Sequence, residues 1–274
     1  MNLEPFIKGQ EQVLELTAWR HLSDQIAAGF TTRNGGESQH PFDSFNLGLH
    51  VTDDAKKVNK NRETLSEILG FPTSNWVCSE QTHDNKIVKV TREHLGAGVY
   101  EYEQSIKDTD GLYTDEKNIL LTLCYADCVP LFFYSPEKER IGIAHAGWKG
   151  SVKDVGGKMV RTWCKDGIEP NEIYAVIGPA IGKCCYVVDD YVKNFVDNLL
   201  KEDFLHPYDQ VSENQYSLDL KQLNYVLLLK AGLSKENIKV SSYCTSCEEN
   251  LFFSHRRDKG KTGRMMNFIG LKEV

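Results

Sequence analysis

The chain has 274 residues, of which 41% are hydrophobic and 26% are charged, as in an ordinary globular protein. A chain of this length can bury a large core, and we expect one domain covering residues 1–274. The formal net charge of −7 argues against a nucleic-acid-binding protein, which normally has a basic surface, but it still allows a local pocket for phosphate.

The sequence gives no sign of export or of insertion into a membrane. Its longest apolar stretch, residues 119–134, is interrupted by Asp127 and is too short to span a bilayer. The first ten residues contain Glu4 and Pro5 where a signal peptide has basic and then apolar residues. We therefore expect a cytoplasmic protein whose eight cysteines are reduced thiols.

The predicted elements mix strands and helices along the whole chain. Short aromatic and β-branched runs bounded by turn residues predict strands at 26–32, 76–79, 86–90, 119–125, 129–134, 141–145, 173–177, 239–243 and 251–254. Apolar residues three and four apart predict helices at 53–69, 152–163, 191–200 and 218–231. We expect Asp53 or Asp54 to cap the first helix and Gly70 to end it, and the second helix to begin directly after Gly150.

Strands outnumber helices in this prediction, and the two do not alternate regularly. A doubly wound parallel sheet requires such alternation, so that fold is not expected. The fold class that fits is a single α/β domain with layered mixed β-sheets covered by helices.

Two histidines and a cysteine stand where predicted strands end, so that each side chain can face a cleft. They are His83, Cys128 and His145. Two imidazoles and one thiolate suit Zn²⁺, and three protein ligands leave a fourth position for water or substrate, as in catalytic zinc sites. Their spacing matches no compact zinc finger, and a single histidine or cysteine at a strand end is more often structural.

The neighbours of these three residues favour a site. Asp127 can act as a carboxylate that hydrogen-bonds to a metal ligand or as a proton acceptor, and Gly147 and Gly150 let the backbone approach a ligand closely. Elsewhere, Cys244 and Cys247 form a CxxC with no second CxxC to complete a four-ligand zinc site. We interpret that pair as structural or as one redox-sensitive pair, and Cys184 and Cys185 as core residues.

A phosphate site requires basic side chains, and a planar guanidinium suits bidentate phosphate recognition. Arg33 is the first candidate, because the Asn34-Gly35-Gly36 loop that follows it can wrap an anion. The other basic candidates are Arg62, Lys149, Arg256, Arg257 and Arg264. Instead of binding phosphate, any one of these basic residues can lie on a solvated surface or form an ion pair.

Together these segments resemble the laccase-domain family, long labelled polyphenol oxidases and associated with purine nucleoside phosphorylase activity. The resemblance rests on segments around Arg33, Asn46 and His83, on the ADCVP sequence at Cys128, and on HAGWKG at His145. It continues through residues 177–186 to the 253–264 segment and so covers nearly the whole chain. Where the family usually has an acidic or amide residue after Cys-Tyr, this chain has Val187, to which we assign no polar role.

The resemblance implies a zinc ion on His83, Cys128 and His145, with Cu²⁺ as the other candidate metal, and a fold similar to that of cysteine-hydrolase-like toxins. It also implies phosphorolysis of adenosine, inosine and methylthioadenosine, with adenosine deamination as a second activity. Purine nucleosides and phosphate are then the partners, and no protein partner is identifiable. Catalytic roles are expected for Cys128, His145 and Asp127, and substrate contacts for Arg33, Asn46, Arg62, Lys149 and Arg256.

Two other functions remain open from the residues. Cys128 and His145 can be the nucleophile and base of a metal-free hydrolase or deamidase. A copper-dependent polyphenol oxidase ranks third, because multicopper sites need clustered histidines and the eight histidines here are scattered.

Overall fold

The computed structural model describes residues 3–201 and 206–273 of the chain. The described residues form five α-helices: α1 (Ala55–Leu69), α2 (Trp148–Val152), α3 (Val155–Lys165), α4 (Asp190–Leu200) and α5 (Leu220–Lys230). The strands are β1 (Phe6–Lys8), β2 (Val13–Leu16), β3 (Ile26–Thr31), β4 (Trp76–Cys78), β5 (Ile87–Lys89), β6 (Gly111–Thr114), β7 (Leu120–Tyr125), β8 (Val129–Ser135), β9 (Arg140–Ala146), β10 (Tyr174–Ile177), β11 (Val187–Asp189), β12 (Tyr208–Ser212), β13 (Gln215–Leu218), β14 (Ile238–Val240) and β15 (Met265–Leu271). Within the described ranges, no helix combines the length and the apolarity needed to cross a bilayer.

Two six-stranded mixed sheets form the centre of the molecule. Sheet 1 has the order β1-β2-β3-β15-β7-β4, and sheet 2 has the order β14-β10-β8-β9-β6-β5. Both contain parallel as well as antiparallel pairs, for example β4 with β7 and β8 with β9. A small antiparallel sheet, β11-β13-β12, lies apart from them. The expected α/β class with mixed sheets covered by helices is confirmed.

The buried residues show a layered arrangement of helix, sheet, sheet and helices. One core cluster joins the inner faces of the two sheets through residues such as Phe30 and Phe132. A second packs α1 on the outer face of sheet 1, and a third packs α3, α4 and α5 on the outer face of sheet 2. Strand β8 serves two of these cores by alternation, because Leu131 and Phe133 face the helices while Phe132 faces sheet 1.

Two connections cross from sheet 1 to sheet 2 and carry candidate site residues. One follows β4 and contains His83 before β5 begins, and the other is the short segment between β7 and β8 that contains Cys128. Because β4 and β7 are parallel, both crossings leave sheet 1 at the same end. Strand β9 is antiparallel to β8 and places His145 opposite Pro130, so all three side chains meet at this end.

Eight of the nine predicted strands are confirmed, with ends that shift by one to three residues. The predicted strand at 251–254 is wrong. Phe252 and Phe253 are fully buried, as a core strand would be, but their segment forms turns in which the Phe252 N–H donates to the Glu248 carbonyl. Apolar side chains fill the space between the sheets here without a strand backbone to carry them.

The first helix agrees with its predicted ends, since Asp54 caps α1 and Gly70 ends it with a left-handed backbone. The second predicted helix is wrong at its start. Its first turn belongs to the separate short helix α2, which includes Lys149, and α3 begins only at Val155. Asp154 separates them with a φ of 55° and accepts a hydrogen bond from the Gly157 N–H.

Candidate metal centre and its cavity

His83, Cys128 and His145 converge as the resemblance implies. One ligand atom from each lies within 4.8 Å of the others, and the two imidazole rings are 4.8 Å apart in a T-shaped arrangement. His83 is exposed, Cys128 is half-buried and His145 is buried. The group is therefore open on one side, as a catalytic zinc site is, with three protein ligands and room for a fourth.

A buried carboxylate that sequence reasoning missed orients this group. Asp110 is fully buried, and its carboxylate accepts from His145 Nδ1 at 2.8 Å. The same carboxylate accepts from the backbone N–H groups of Thr82, His83 and Asp84 at 2.9–3.1 Å. With Nδ1 of His145 donating to Asp110, the lone pair of Nε2 is left for a metal. No sequence signal pointed to Asp110, which lies far from all three ligands along the chain.

Gly147, which follows β9, lies too close to Cys128 and His83 to carry a side chain. A Cβ on Gly147 would lie 2.8 Å from Cys128 Sγ and 3.1 Å from His83 Cδ2. Its φ of −63° is ordinary, so space and not backbone conformation requires the glycine. His83 itself has a φ of 60°, and the Asp110 hydrogen bonds hold its backbone in that left-handed conformation.

The charges within the group suit a cation. Burial raises the pKa of the Cys128 thiol, but His145 and His83 outweigh it, so that the pKa lies below its usual value. Burial lowers the pKa of His145, but the Cys128 thiolate and Asp110 raise it above its usual value. Cys128 therefore readily becomes a thiolate, which is the form that binds a metal. The donor set and the space fit Zn²⁺, and two histidines with one cysteine also suit copper.

The three side chains open onto a cavity of about 490 Å³. Among the described residues that line it, Asp127 is the single acidic side chain. Basic side chains and histidines dominate the wall: Arg62, Lys149, Arg256, Arg264, His50, His83, His145 and His255. Such a lining favours an anion despite the negative charge of the whole chain.

Asp127 lines the cavity, but both of its oxygens are engaged. Oδ1 accepts from the Thr245 hydroxyl at 2.7 Å, and Oδ2 accepts from the Ser254 hydroxyl at 3.0 Å and from the Arg256 N–H at 2.7 Å. These bonds fasten the loop before β8 to the C-terminal segment. The carboxylate that contacts a histidine of the group is that of Asp110, whereas Asp127 accepts from Thr245, Ser254 and Arg256.

Two residues expected to bind substrate lie outside the cavity lining. The Arg33 guanidinium donates to the Asp43 and Glu249 carbonyls and lies 4.7 Å from the Phe253 ring centroid. Asn46 is fully buried, and its Oδ1 accepts from the Arg264 N–H at 2.8 Å. Each fastens loops to one another, so neither offers a free polar group to a ligand in this cavity.

Arg62, Lys149 and Arg256 do line the cavity, in different ways. Arg62 is 3% exposed and donates to the carbonyls of Leu47, Gly98 and Val99, so its role is to hold the wall. Lys149 is exposed on α2. Arg256 stacks 4.8 Å from the Tyr186 ring centroid and donates to the Val187 carbonyl.

Arg264 and His50 lie close together in the lining, and Arg264 donates through Nη1 to the Thr262 and Gly263 carbonyls. Arg264 appeared among the basic candidates but was not selected, and His50 was missed because it stands alone in a loop. Burial lowers the pKa of His50 to about 4, with the charges of Arg264 and Arg62 acting in the same direction. His50 is therefore a neutral imidazole at pH 7. An anion bound next to it would raise its pKa.

Four further cysteines form a second group, which corrects the role expected for one of them. Cys184, Cys185, Cys244 and Cys247 come together, with their sulfurs within 4.8 Å of one another. Cys184 and Cys247 are exposed, so Cys184 is not a core residue, and Cys184-Cys185 supplies the second pair that the sequence did not suggest.

A fold of two mixed sheets with an open His-Cys-His group at their shared end defines the class. The chain belongs to the family described as multi-copper polyphenol oxidoreductase laccase, whose model matches residues 27–272.

The particular relatives carry a different functional name. Purine nucleoside phosphorylase YlmD of Bacillus subtilis is 50% identical over 274 residues, covering 98% of each chain. Purine nucleoside phosphorylase YlmD of Geobacillus stearothermophilus is 50% identical and covers 90% of each chain. The crystal structure of YlmD from Geobacillus stearothermophilus superposes with a TM-score of 0.96 at 47% identity, covering 99% of this chain and 100% of that one.

Proposed function

We propose that this protein is a zinc-dependent purine nucleoside phosphorylase that acts on adenosine, inosine and methylthioadenosine, with adenosine deaminase as a second activity. The observation that carries the proposal is a cavity of about 490 Å³ in which the His83–Cys128–His145 group faces a cationic wall. The relatives named purine nucleoside phosphorylase support the phosphorylase part of this proposal.

Phosphorolysis replaces the purine at ribose C1′ with a phosphate oxygen, so the C1′–N9 bond breaks and a C1′–O bond forms. Charge then develops as an oxocarbenium on the sugar and as an anion on the departing base. The enzyme must hold a phosphate dianion next to the sugar and must stabilise the base as it leaves.

Arg264, Lys149 and Arg256 are the side chains that we assign to the phosphate. All three line the cavity: Arg264 lies near His50, Arg256 stacks on Tyr186, and Lys149 lies over the Trp148 ring. Burial and the cationic neighbours lower the pKa of His50 to about 4, so the ring is neutral and can offer its N–H to a phosphate oxygen as a hydrogen-bond donor.

The nucleoside needs apolar and aromatic surface for its base and sugar. Tyr102, Trp148 and Tyr186 line the same cavity together with Ile181 and Met266. A cavity of this volume and mixed lining is typical of a small-molecule site.

His83, Cys128 and His145 would hold the zinc ion, with Asp110 fixing the orientation of His145. Bound there, zinc supplies a Lewis acid that stabilises negative charge and lowers the pKa of water. Deamination at purine C6 also needs a proton carrier, and Asp127 is our candidate, because its carboxylate lines the cavity and its Oδ1 accepts a single hydrogen bond.

A metal-free cysteine hydrolase is the second candidate, and the order Cys128–His145–Asp110 favours it. A nucleophile, a base and an orienting carboxylate stand in sequence, as in a catalytic triad. Against it, Cys128 has a second imidazole neighbour in His83. A nucleophile needs one base, whereas a metal needs several ligands.

The test incubates metal-replete protein with adenosine, inosine or methylthioadenosine, with and without phosphate, and identifies the products by mass. Free base together with a sugar 1-phosphate, formed only with phosphate, is expected. Inosine formed from adenosine without phosphate would demonstrate the deaminase activity. Free base without phosphate dependence would overturn the proposal.

Cys128→Ala separates the two candidates. Under the zinc proposal this variant loses both activity and zinc, because it removes one of three ligands. Activity lost with zinc fully retained, together with a covalent adduct on Cys128 in the wild type, would favour the hydrolase. Cys164→Ser is the matched control, since Cys164 belongs to neither cysteine-containing group.

A further inference from the structure

The second cysteine group joins two loops that are distant along the chain. Cys184 and Cys185 lie between β10 and β11, and Cys244 and Cys247 follow β14. Parallel bridge pairing links Ala180 to Cys244, and the Thr245 N–H donates to the Ala180 carbonyl at 3.1 Å. The backbones of the two loops are therefore held side by side, with all four thiols on the shared edge.

Three of the six sulfur–sulfur distances are close to the edge of a tetrahedron of sulfurs around a metal. Cys184 Sγ lies 3.7 Å from Cys244 Sγ and 3.5 Å from Cys247 Sγ, and Cys185 Sγ lies 3.4 Å from Cys247 Sγ. Four sulfurs at about 2.3 Å from a zinc ion are separated by roughly 3.8 Å. A disulfide needs a sulfur–sulfur distance of about 2.05 Å, and none of these three pairs is that close.

The backbone around Cys244 stabilises a thiolate. The Gly182 N–H donates to Cys244 Sγ at 3.1 Å, and the N–H groups of Ser246 and Cys247 also point to this sulfur. A Cβ on Gly182 would lie 3.1 Å from Cys184 Sγ and 3.2 Å from Cys244 Sγ, so a glycine is needed where the sulfurs converge.

A buried cation stands behind the group. Lys221 is 8% exposed, and its ammonium donates to the carbonyls of Ser241 and Tyr243 at 2.8 and 2.9 Å. Burial lowers the pKa of Lys221, and the negative charges of Asp219, Cys244 and Cys184 act against that shift. Four thiolates around a divalent ion carry a net charge of about −2, which this ammonium partly offsets.

We propose that Cys184, Cys185, Cys244 and Cys247 bind a second zinc ion, in a closed four-thiolate site that is separate from the His83–Cys128–His145 group. Closed sites of this kind are structural, because no coordination position is left for a substrate. Binding displaces the thiol protons and contributes its free energy to the folded arrangement of the two loops.

One of the two loops that this ion ties together lines the cavity, and the other supports a residue of the lining. Thr245, between the two cysteines of the CxxC, donates to Asp127 Oδ1 at 2.7 Å. Tyr186, next to Cys185, lies under the Arg256 guanidinium, and Ile181 precedes the first pair in the same lining. The second ion therefore positions the side chains that enclose the ligand without touching the ligand itself.

The experiment counts metal in full-length protein purified under reducing conditions with zinc. Wild type is expected to hold two zinc ions per chain. Cys247→Ser and Cys184→Ser should each hold one, and so should Cys128→Ala, which loses the other ion. Cys164→Ser, the control, should keep both. With Co²⁺ in place of zinc, the intense thiolate-to-cobalt absorption should fall strongly in Cys247→Ser and only partly in Cys128→Ala.

Alkylation of wild-type protein tests the proposal without any substitution. The four cysteines of this group should resist iodoacetamide until a chelator is added, as peptide mapping will reveal. Alkylation at the same rate with and without chelator would overturn the proposal. A mass two hydrogens lower, with a crosslinked pair from these loops, would identify a disulfide instead. None of these readouts depends on nucleoside phosphorolysis, so the two proposals can fail independently.

Discussion

Asp110 holds two of the three side chains of the metal group at once. Its carboxylate accepts from His145 Nδ1 and from three successive N–H groups of the loop that carries His83. Its own carbonyl accepts from the His145 N–H at 2.8 Å. Burial alone raises the pKa of Asp110, but these donors keep it below its usual value, so the residue stays ionised beside His145. A single buried charge thus sets the spacing between two ligands.

Asp110→Asn should lower zinc affinity at the His83–Cys128–His145 group by about 10- to 100-fold, as the loss of such an orienting partner typically does. The carboxamide has one accepting oxygen, so its NH₂ faces N–H donors of the loop. Chelator competition measures the affinity. Asp84→Asn is the control, because Asp84 lies in the same loop and pairs with Lys153 at the surface. Equal affinity in wild type and Asp110→Asn would contradict the role of Asp110.

Arg264→Ala should raise the apparent KM for phosphate by roughly ten- to a hundredfold, because one charge-assisted contact is typically worth about 1.5–3 kcal/mol. Steady-state kinetics with inosine and varied phosphate measures the change, and thermal unfolding verifies that the variant folds.

Arg33→Ala is the comparison, since Arg33 lies outside the cavity. It should unfold at a lower temperature, because the Asp43 and Glu249 carbonyls lose their donor, while its KM for phosphate stays within about twofold of wild type. A large increase in KM for Arg33→Ala with none for Arg264→Ala would reverse the assignment.

At the scale of elements, the turn from β9 into α2 determines whether the three ligands can meet. Gly147 follows the last residue of β9 and is the N-cap of α2. Because it has no side chain, it leaves room for Cys128 Sγ. Gly150, in α2, faces the His145 carbonyl, where a Cβ would lie at 2.9 Å. The two glycines therefore have different roles, one at the metal group and one in helix packing.

Gly147→Ala should weaken zinc binding at the metal group at least tenfold while changing the unfolding temperature little, since its φ of −63° suits alanine. Gly150→Ala should do the opposite, because its Cβ meets backbone that cannot move aside. Zinc affinity and thermal unfolding of both variants provide the measurements. Similar effects of both substitutions on zinc would show that α2 shifts as a unit.

Elements with strong local patterns could be predicted, and those defined by pairing could not. Asp54 as N-cap and Gly70 as C-cap of α1 are signals in the local sequence, and the apolar run of β8 directly predicts a strand. Strand β15, between β3 and β7 in sheet 1, was missed because Asn267 and Gly270 interrupt its pattern. Both have tertiary reasons: Asn267 Oδ1 accepts from the Leu123 N–H, and a Cβ on Gly270 would lie 2.7 Å from the Phe71 ring.

The candidate site shows the same division. His83, Cys128 and His145 could be selected because each follows or ends an apolar run in a distinctive motif. Asp110 could not, because its importance comes from contacts with residues that are 26 to 35 positions away. Arg33 was favoured for its glycine-rich neighbours, but only the fold reveals that its guanidinium is used by backbone carbonyls.

At the scale of the whole molecule, the chain crosses between the two large sheets at one end, and the cavity lies at that end. The chain as a whole is negative, with a formal charge of −7, yet the described lining of the cavity contains four Lys or Arg side chains and one Asp. A distant phosphate is therefore repelled by the surface in general and attracted by the cavity. Such focusing by a charged cleft raises association rates and is sensitive to salt.

Raising the ionic strength from about 0.01 M to 0.15 M shortens the screening length from roughly 30 Å to 8 Å. Under the proposed function, kcat/KM for phosphate should fall severalfold over this range, because the attraction of the dianion to the cavity is screened. The value of kcat/KM for inosine at saturating phosphate should change little, since inosine is uncharged.

Arg264→Ala provides the internal control for this measurement. With one cavity charge removed, its kcat/KM for phosphate should start lower and should depend less steeply on salt than that of wild type. A wild-type value that does not respond to salt would mean that these cations do not face the phosphate. An equal decrease of kcat/KM for inosine would instead point to a general effect of salt on the fold. Inosine is uncharged, so screening should not change its attraction to the cavity.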